Sequence, residues 1–478
     1  MSGCPFHQTS TPQQVSSVPE RAVRAKRVSL PRLGWNLVSA RFHFIHTLQR
    51  LFKATGSDTL SVWLPRTNLY ISADPKLCRE ILVDRPEEYP KTGWEHRVLS
   101  PAMEDGLIIL DGEEWKTRRH ASASCFGAKS IAQLAGILSE VSARRVSGWD
   151  HAEGRSIELN HEFRCVINES MMRFFLDGSS LDETLPGGSD EFSHAFSRVE
   201  KGLETRVFDV LFLKERLRTL VSPSNGFHRS LHTVTNFIEE RVFDSSKSAG
   251  DQSALKNLMD RIPSRRSVSR EIRNMSGAGA TTAHLLSWIG HLLASHPEKQ
   301  ERLRTEVLGL QLTEQGPELS EIEKLPYLSA VINEGLRLFP PAPYLIRKHV
   351  SGRKGERPSF FMFSVWAIHR DPKVWRDADQ FAPERWLDDS EIPEQSFIPF
   401  GVGPRVCIGK RFALTEARII LSTLLRRFRL ELIPNGRIPL PVFTVLTRPD
   451  RGVRVGLVPI LREALLPEPQ WPLQEKAL

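Results

Sequence analysis

The sequence predicts a mainly α-helical chain with small β-sheets, and three observations carry that expectation. Apolar residues recur every three or four positions through most of the middle of the chain. One run, Ser267 to Ser295, is long and apolar enough to form a buried helix. Alternating, strand-like stretches lie only near the two ends.

In chain order, "DTLSVWLPRTNLYIS" reads as two strands around a turn and "DPKLCREILVD" as a short helix. Helical patterns follow in "DGEEWKTRRHASASCF", "SIAQLAGILSEVSARRVSGW" and "RSLHTVTNFIEERVFD", separated by the loop signals "LPGGSD", "SPSNG" and "SKSAGDQS". Gly277 and Gly279 interrupt the long helix, each costing about 1 kcal/mol against alanine. Pro297 opens a further helix at the favoured first position, and "LPYLSAVINEGLRLF" stops at Pro340. Near the C-terminus, "PVFTVLTRPDRGVRVGLV" reads as one hairpin. There is no fixed-period repeat.

The chain has 478 residues, 40% hydrophobic and 26% charged, with no linker-like break in the middle. We expect one domain over 26–465, a polar tail over 1–25 and a C-terminal tail over 466–478. Five cysteines (Cys4, Cys78, Cys125, Cys165 and Cys407) form no Cys-x-x-Cys pair, which argues against a disulfide framework and for a cytoplasmic location. No apolar run is long enough for a signal or a transmembrane anchor. "LGWNLVSARFHFIHTLQRLF" has the pattern of an amphipathic helix; it touches a membrane surface or, the commoner outcome, packs on its own domain. The net charge of +8 comes from Arg and Lys scattered through helical patterns. That excludes nucleic acid as the reading and favours an acidic protein partner.

The chemistry concentrates in "PFGVGPRVCIGKR". Cys407 precedes a helix whose apolar stripe is Leu414, Ala417, Leu421, Leu424 and Phe428. Helix N-terminal N–H groups favour a thiolate there. Gly401, Gly403 and Gly409 permit tight turns and close backbone approach, which suits a sulfur held against a flat ligand.

The spacing Phe400-x-x-Gly403-x-Arg405-x-Cys407-x-Gly409 resembles the cysteine-ligand loop of the cytochrome P450 haem-thiolate family, with the texture of its soluble bacterial members. The resemblance spans roughly Asp58 to Pro459. It implies the mainly α cytochrome P450 fold around one b-type haem. Cys407 would then be the iron ligand, with Phe400 and Gly401 beside the sulfur and Arg405 on a haem propionate. Trp115 and Arg119, four apart in "EEWKTRR", match the family's propionate-binding helix; Arg347 matches another propionate contact, and Ala342 to Ile346 a pocket-lining segment. A planar guanidinium suits such contacts because it binds a carboxylate bidentately. Glu334 and Arg337 in "NEGLR", with Arg385 in "FAPERW", match a buried scaffolding network. "CPFH" at Cys4 to His7 offers only two ligands on a tail, too few for a metal site. "GAGATT" lacks the third glycine and the preceding strand of a dinucleotide fold.

The family's long helix reads small-Gly-x-acid-Thr, and the acid and threonine deliver protons. This chain keeps Thr281, followed by Thr282, but has Ala280 in place of the acid. His284 is a candidate substitute relay, although a helical histidine is more often a packed residue. A second departure is the stretch from Arg347 to His369, shorter than the family's strand hairpin.

The resemblance implies a monooxygenase acting on a small lipophilic substrate, with a pocket drawn from variable loops at 89–110 and 190–244. Its electrons would come from an acidic donor (a ferredoxin, flavodoxin or reductase) docking on Arg118, Lys410, Arg411, Arg426 and Arg427. We expect a monomer. The absent acid at position 280 supports an alternative of peroxygenase, isomerase or nitric oxide reductase type, in which no dioxygen-linked proton relay is needed. A haem-binding protein without turnover is a third class, and retention of Thr281 weighs against it. Ala280→Asp is expected to raise the fraction of consumed dioxygen recovered as product rather than peroxide. Loss of activity without that gain would show a distal site built for other chemistry.

Overall fold

The computed structural model describes residues 18–39, 44–64, 67–149, 156–176, 178, 180–211, 225–245, 253–310, 318–349, 357–388, 392–393, 395–443 and 445–460. The expected C-terminal tail and the Cys4–His7 pair lie outside them. The strands are β1 (Lys26–Val28), β2 (Thr59–Leu64), β3 (Thr67–Ser72), β4 (Ser156–Glu158), β5 (Tyr344–His349), β6 (Ser359–Ser364), β7 (Phe428–Leu432), β8 (Pro441–Phe443), β9 (Thr447–Pro449) and β10 (Arg454–Pro459). The described chain forms two compact units.

The first unit draws on Met1–Trp94, Tyr344–Arg376 and Ile392–Val406. It is built on a five-stranded sheet in the order β1-β2-β3-β6-β5. β5 and β6 pair antiparallel with Arg347 opposite Phe361, which sets the register the shortened segment left open. Alternation along β6 divides the core. Met362 joins Val28, Leu60, Val62 and Ile71 on one side, whereas Phe361 and Phe363 join Leu77, Ile81, Leu82 and Tyr89 on the other. Of the helices α1 (Leu30–Ser39) and α2 (Phe44–Thr55), α2 places Leu48 and Leu51 against the first side. The described C-terminal part of the amphipathic stretch therefore packs on its own unit, and residues 40–43 of it lie outside the described residues. Ala22, within the expected tail, is fully buried in the other cluster.

A short helix, Pro75–Arg79, begins at Asp74, whose carboxylate accepts the Lys76 N–H at 2.9 Å, and continues as a π-helical turn, Glu80–Asp84. Gly403, at φ +72°, lies against that turn. A Cβ there would stand 2.0 Å from the Leu82 carbonyl oxygen, so only glycine fits.

The second unit draws on Glu95–Pro343, Asp377–Glu391 and Cys407–Leu478. Its longer helices are α3 (Trp94–Met103), α4 (Gly112–Ala123), α5 (Ala128–Ser147), α6 (Leu159–Phe175), α7 (Gly188–Leu211), α8 (Asn225–Ser245), α9 (Arg265–Ala278), α10 (Ala280–Ser295), α11 (Pro297–Leu308), α12 (Pro326–Leu338) and α13 (Lys410–Arg427). Among the described residues no helix is long and apolar enough to cross a membrane.

Several expectations change here. The single long helix is two, α9 and α10, divided at Gly279. A Cβ at Gly279 would lie 2.6 Å from Ile167 Cγ2 on α6, so close helix approach explains the glycine. The C-terminal hairpin consists of β8 and β9 only. Gly452, at φ +77°, turns the chain so that β10 pairs with β7 and β4 instead. Phe428 leaves the helical stripe and starts β7, while Ala417, Leu421 and Leu424 stay buried on α13. The regions 89–110 and 190–244, expected to supply pocket loops, contain α3 and α7 as well as α8, the last as its pattern over 229–244 predicts. Phe192, Ala195, Val199 and Leu203 on α7 recur at helical spacing and are buried, a signal that sequence reading passed over. Tyr89 is a core residue of the first unit, edge-on to Phe361.

Gly335 on α12 touches α10, where a Cβ would meet Ile289 Cγ1 at 2.5 Å. Gly335→Ala is expected to lower stability by about 1–3 kcal/mol through overpacking, seen as a reduced urea midpoint at unchanged slope.

Candidate active site

Cys407 lies in the second unit, three residues before the first residue of α13. It is solvent-accessible, whereas the other described cysteines, Cys78, Cys125 and Cys165, are buried. Protein crowds it from most sides all the same. Desolvation pushes its thiol above the ordinary range, against the pull of the Gly409 N–H and the charges of Arg119 and Lys410. This corrects the expectation that the helix start alone favours a thiolate. Those donors partly offset burial, and a bound cation would complete the reversal. Gly409 sits beside the thiol, where an added Cβ would make ordinary contacts of 3.7 Å with Phe126 and 4.0 Å with the sulfur. Phe126 packs on Phe412, and Phe412 on Phe174, at centroid distances of 4.6 and 5.4 Å.

On α4, Arg119 lies over the Trp115 ring at 5.6 Å. The structure thus brings Trp115, Arg119, Cys407 and Gly409 into one neighbourhood. Phe400, Gly401, Arg405 and Arg347 belong to the first unit. There Gly401 adopts φ +72° and its N–H donates to Ile398 O at 3.0 Å; Arg405 ends the turn Gly403–Arg405; and Arg347 on β5 donates to Ile346 O at 2.8 Å. His369, fully buried, accepts the Ile398 N–H on Nε2 at 2.9 Å and so anchors the approach to the loop. Nothing in the sequence distinguished this histidine.

Glu334, Arg337 and Arg385 meet as one network. Glu334 and Arg337 are both fully buried and share a bidentate pair at 2.8 and 2.8 Å. Arg385 Nε adds a bond to Glu334 at 3.2 Å, Trp386 Nε1 one at 2.9 Å and the Ala382 N–H one at 3.0 Å. Arg337 also donates to the carbonyls of Ala378 and Gln380, at 2.6 and 3.1 Å. Two guanidinium groups, an indole and a backbone N–H thus supply the hydrogen bonds that offset the cost of burying the Glu334 carboxylate.

Past the α9–α10 break, Ala280 begins α10 and Thr281 donates to Ala278 O at 2.8 Å. Thr282 points elsewhere, donating to the carboxyl of Glu416 on α13. Glu416 is buried without a cation, and desolvation pushes it up to about 7. Sequence reading missed it, although an ionisable residue beside Ala417, inside an apolar stripe, was the available signal. His284 is a packed residue rather than a relay. Asn160 donates to its Nδ1 at 2.9 Å, and its Nε2–H donates to Glu200 at 2.7 Å. Arg164 closes that network on both Asn160 and Glu200. Burial holds the His284 imidazole below the usual histidine range.

Residues 27–455 match the sequence profile of the family described as cytochrome P450. The chain belongs to that family. Its relatives include the cyclooctat-9-en-7-ol 5-monooxygenase of Streptomyces melanosporofaciens, 25% identical over 89% of this chain and 94% of the relative. The chloroplastic protein LUTEIN DEFICIENT 5 of Arabidopsis thaliana is 29% identical over 82% of this chain and 70% of the relative. The cytokinin hydroxylase of the same plant is 28% identical over 81% and 80%. As in the family, the cofactor is haem.

One expectation about this cytochrome P450 surface needs correction. Of the five cations proposed as a docking face, three are used internally. Arg118 pairs with Asp105 and Glu271, Arg426 donates to the carbonyls of Val307 and Leu310 at the end of α11, and Arg427 donates to Ser147 Oγ. Lys410 and Arg411 are exposed. A helix C-terminus and a buried carboxylate claim arginines that sequence pattern assigns to solvent.

Glu334→Gln removes the charge opposite two arginines and is expected to cost about 3–5 kcal/mol in denaturant unfolding. Glu416 binds its proton more tightly folded than unfolded. That contribution is complete below about pH 4.5 and is lost as pH rises through about 7. Wild type should therefore lose roughly 3 kcal/mol relative to Glu416→Gln across that window, read from urea midpoints at a series of pH values.

Proposed function

We propose that this cytochrome P450 is a haem-thiolate monooxygenase that inserts one atom of dioxygen into a small lipophilic substrate, with Cys407 as the axial ligand of a b-type haem. The observation that carries this reading is the thiol itself. Among the described residues Cys407 alone is an exposed cysteine, in a family whose loop pattern it completes. The donor set fits the group: a sulfur near the charges of Arg119 and Lys410 that receives the Gly409 N–H, with the Phe126–Phe412 aromatic pair next to Gly409. Phe400, Gly401, Arg405, Trp115, Arg119 and Arg347 are the further residues that would hold the cofactor, the arginines through its carboxylates.

Bound haem supplies the iron centre at which dioxygen is reduced by two electrons, and a cysteine thiolate favours O–O cleavage there. This chain's residues handle the protons. Glu416, poised near neutral pH, stores one, and the Thr282 hydroxyl is hydrogen-bonded to it. Thr281, the next residue back, can release its bond to Ala278 O and turn its hydroxyl outward. A carboxyl on α13 thereby takes the part that an acid at position 280 would play. This favours dioxygen chemistry over the peroxygenase, isomerase or nitric oxide reductase reading drawn from Ala280.

The electrons come from an acidic donor, a ferredoxin, flavodoxin or reductase, with Lys410 and Arg411 as its contact residues. The free state of the described cysteines supports a cytoplasmic setting. Relatives named for a cyclic alcohol and for cytokinin support a lipophilic organic substrate.

An optical titration of the ferric protein against lipophilic compounds should give a blue shift of the haem band with one chemical series. Rapid reaction with peroxide and no such shift would favour the alternative. Cys407→Ser should lose the thiolate spectrum and all oxygenation, whereas intact oxygenation would overturn the assignment.

A further inference from the structure

Away from this chemistry, α6 and α7 place two pairs of side chains face to face. His161 and Cys165 are four apart on α6; Asp190 and His194 are four apart on α7. The His161 Nε2, Cys165 Sγ and Asp190 carboxylate oxygen all lie within 4.8 Å of one another. Sulfur to nitrogen is 3.6 Å, sulfur to oxygen 3.8 Å and nitrogen to oxygen 2.7 Å. The ring of His194 stacks on His161 at a centroid distance of 4.4 Å.

We propose that His161, Cys165 and Asp190 form a zinc site that clips the first turns of α6 and α7 together, with water or His194 in the fourth position. Zinc bonds of about 2.0–2.3 Å to nitrogen, oxygen and sulfur imply tetrahedral edges of roughly 3.3–3.6 Å. The two edges at sulfur are already close to this. The third is a hydrogen bond, and it opens by roughly half an ångström when its proton moves. Coordination releases the Cys165 proton to solvent and shifts the imidazole proton of His161 to Nδ1, which balances the step. One thiolate, one imidazole and one carboxylate suit a borderline-soft divalent ion rather than magnesium or calcium.

The surroundings meet the other requirements of a metal site. Outer donors are in place. Arg145 donates to both oxygens of Asp190 at 3.1 Å, so it can keep Oδ2 when Oδ1 turns to a metal. Ser193 hydrogen-bonds Cys165 and is itself held by Asn168 at 2.9 Å. An entry path exists: the Asp190 side chain is 50% exposed and that of His161 22%, whereas Cys165 forms the closed floor. Because binding releases the Cys165 proton, zinc affinity should rise with pH.

The test uses the haem-loaded full chain, stripped with a chelator and titrated with zinc ions against a chromophoric competitor. One zinc per chain at micromolar or lower free metal is expected, with a sulfur scatterer at about 2.3 Å in X-ray absorption. Cys165→Ser and Asp190→Asn should each weaken binding by at least about tenfold, while Cys125→Ser should leave it unchanged. If Cys165→Ser folds poorly, the half-exposed Asp190→Asn decides the matter. No stoichiometric zinc, no sulfur in the coordination shell, or unchanged affinity in Asp190→Asn would overturn the proposal.

Discussion

The second unit depends on one carboxylate that has no exposure at all. Glu334 is tolerable in the interior because donors from two arginines, an indole and a backbone N–H converge on its two oxygens. The arrangement ties α12 to the segment that runs from Ala378 to Trp386. That segment has little regular structure of its own beyond a single turn of 3₁₀ helix, Pro383–Trp386. The ion pair replaces secondary structure as the source of order there, and directional charge-assisted bonds do this better than apolar contact, which would let the segment slide.

A second constraint acts along α10. The helix is apolar and buried on nearly every side, yet it carries Thr282 and His284 inward. Each is resolved by a different partner. His284 joins a closed set of Asn160, Arg164 and Glu200, in which opposite charges cancel and no proton has anywhere to go. Thr282 meets a lone carboxyl, whose burial without a cation keeps a proton within the neutral range. The chemical difference between the two positions is the presence or absence of an arginine.

What could be read in advance follows the same division. The network of Glu334, Arg337 and Arg385 was legible because "NEGLR" and "FAPERW" resemble the family's motifs, and only the three-residue spacing of Glu334 and Arg337 is set by local helix geometry. Glu416 was not, because its significance comes from the helix packed across it, and no local pattern reports a missing counter-ion. The fates of Arg118, Arg426 and Arg427 were hidden for the same reason, since only the fold reveals which carbonyls and carboxylates stand opposite. The α7 segment had the helical period on the page, and the error there lay in weighing loop signals above it, whereas the period over 229–244 was read and is α8. Where β10 pairs depended on one positive-φ glycine whose turn direction a sequence does not state.

The seat of Gly403 has a consequence for how this protein can drift. The contact is between a glycine α-carbon and the main-chain oxygen of residue 82, an atom that every amino acid carries. Tolerance at the two positions is therefore lopsided. Leu82 can be exchanged for other apolar residues with only its core packing at stake, whereas position 403 admits a single residue type however the rest of the chain diverges. Lineages descending from this sequence would keep the glycine without any chemistry acting upon it, purely because two stretches of backbone occupy adjacent space.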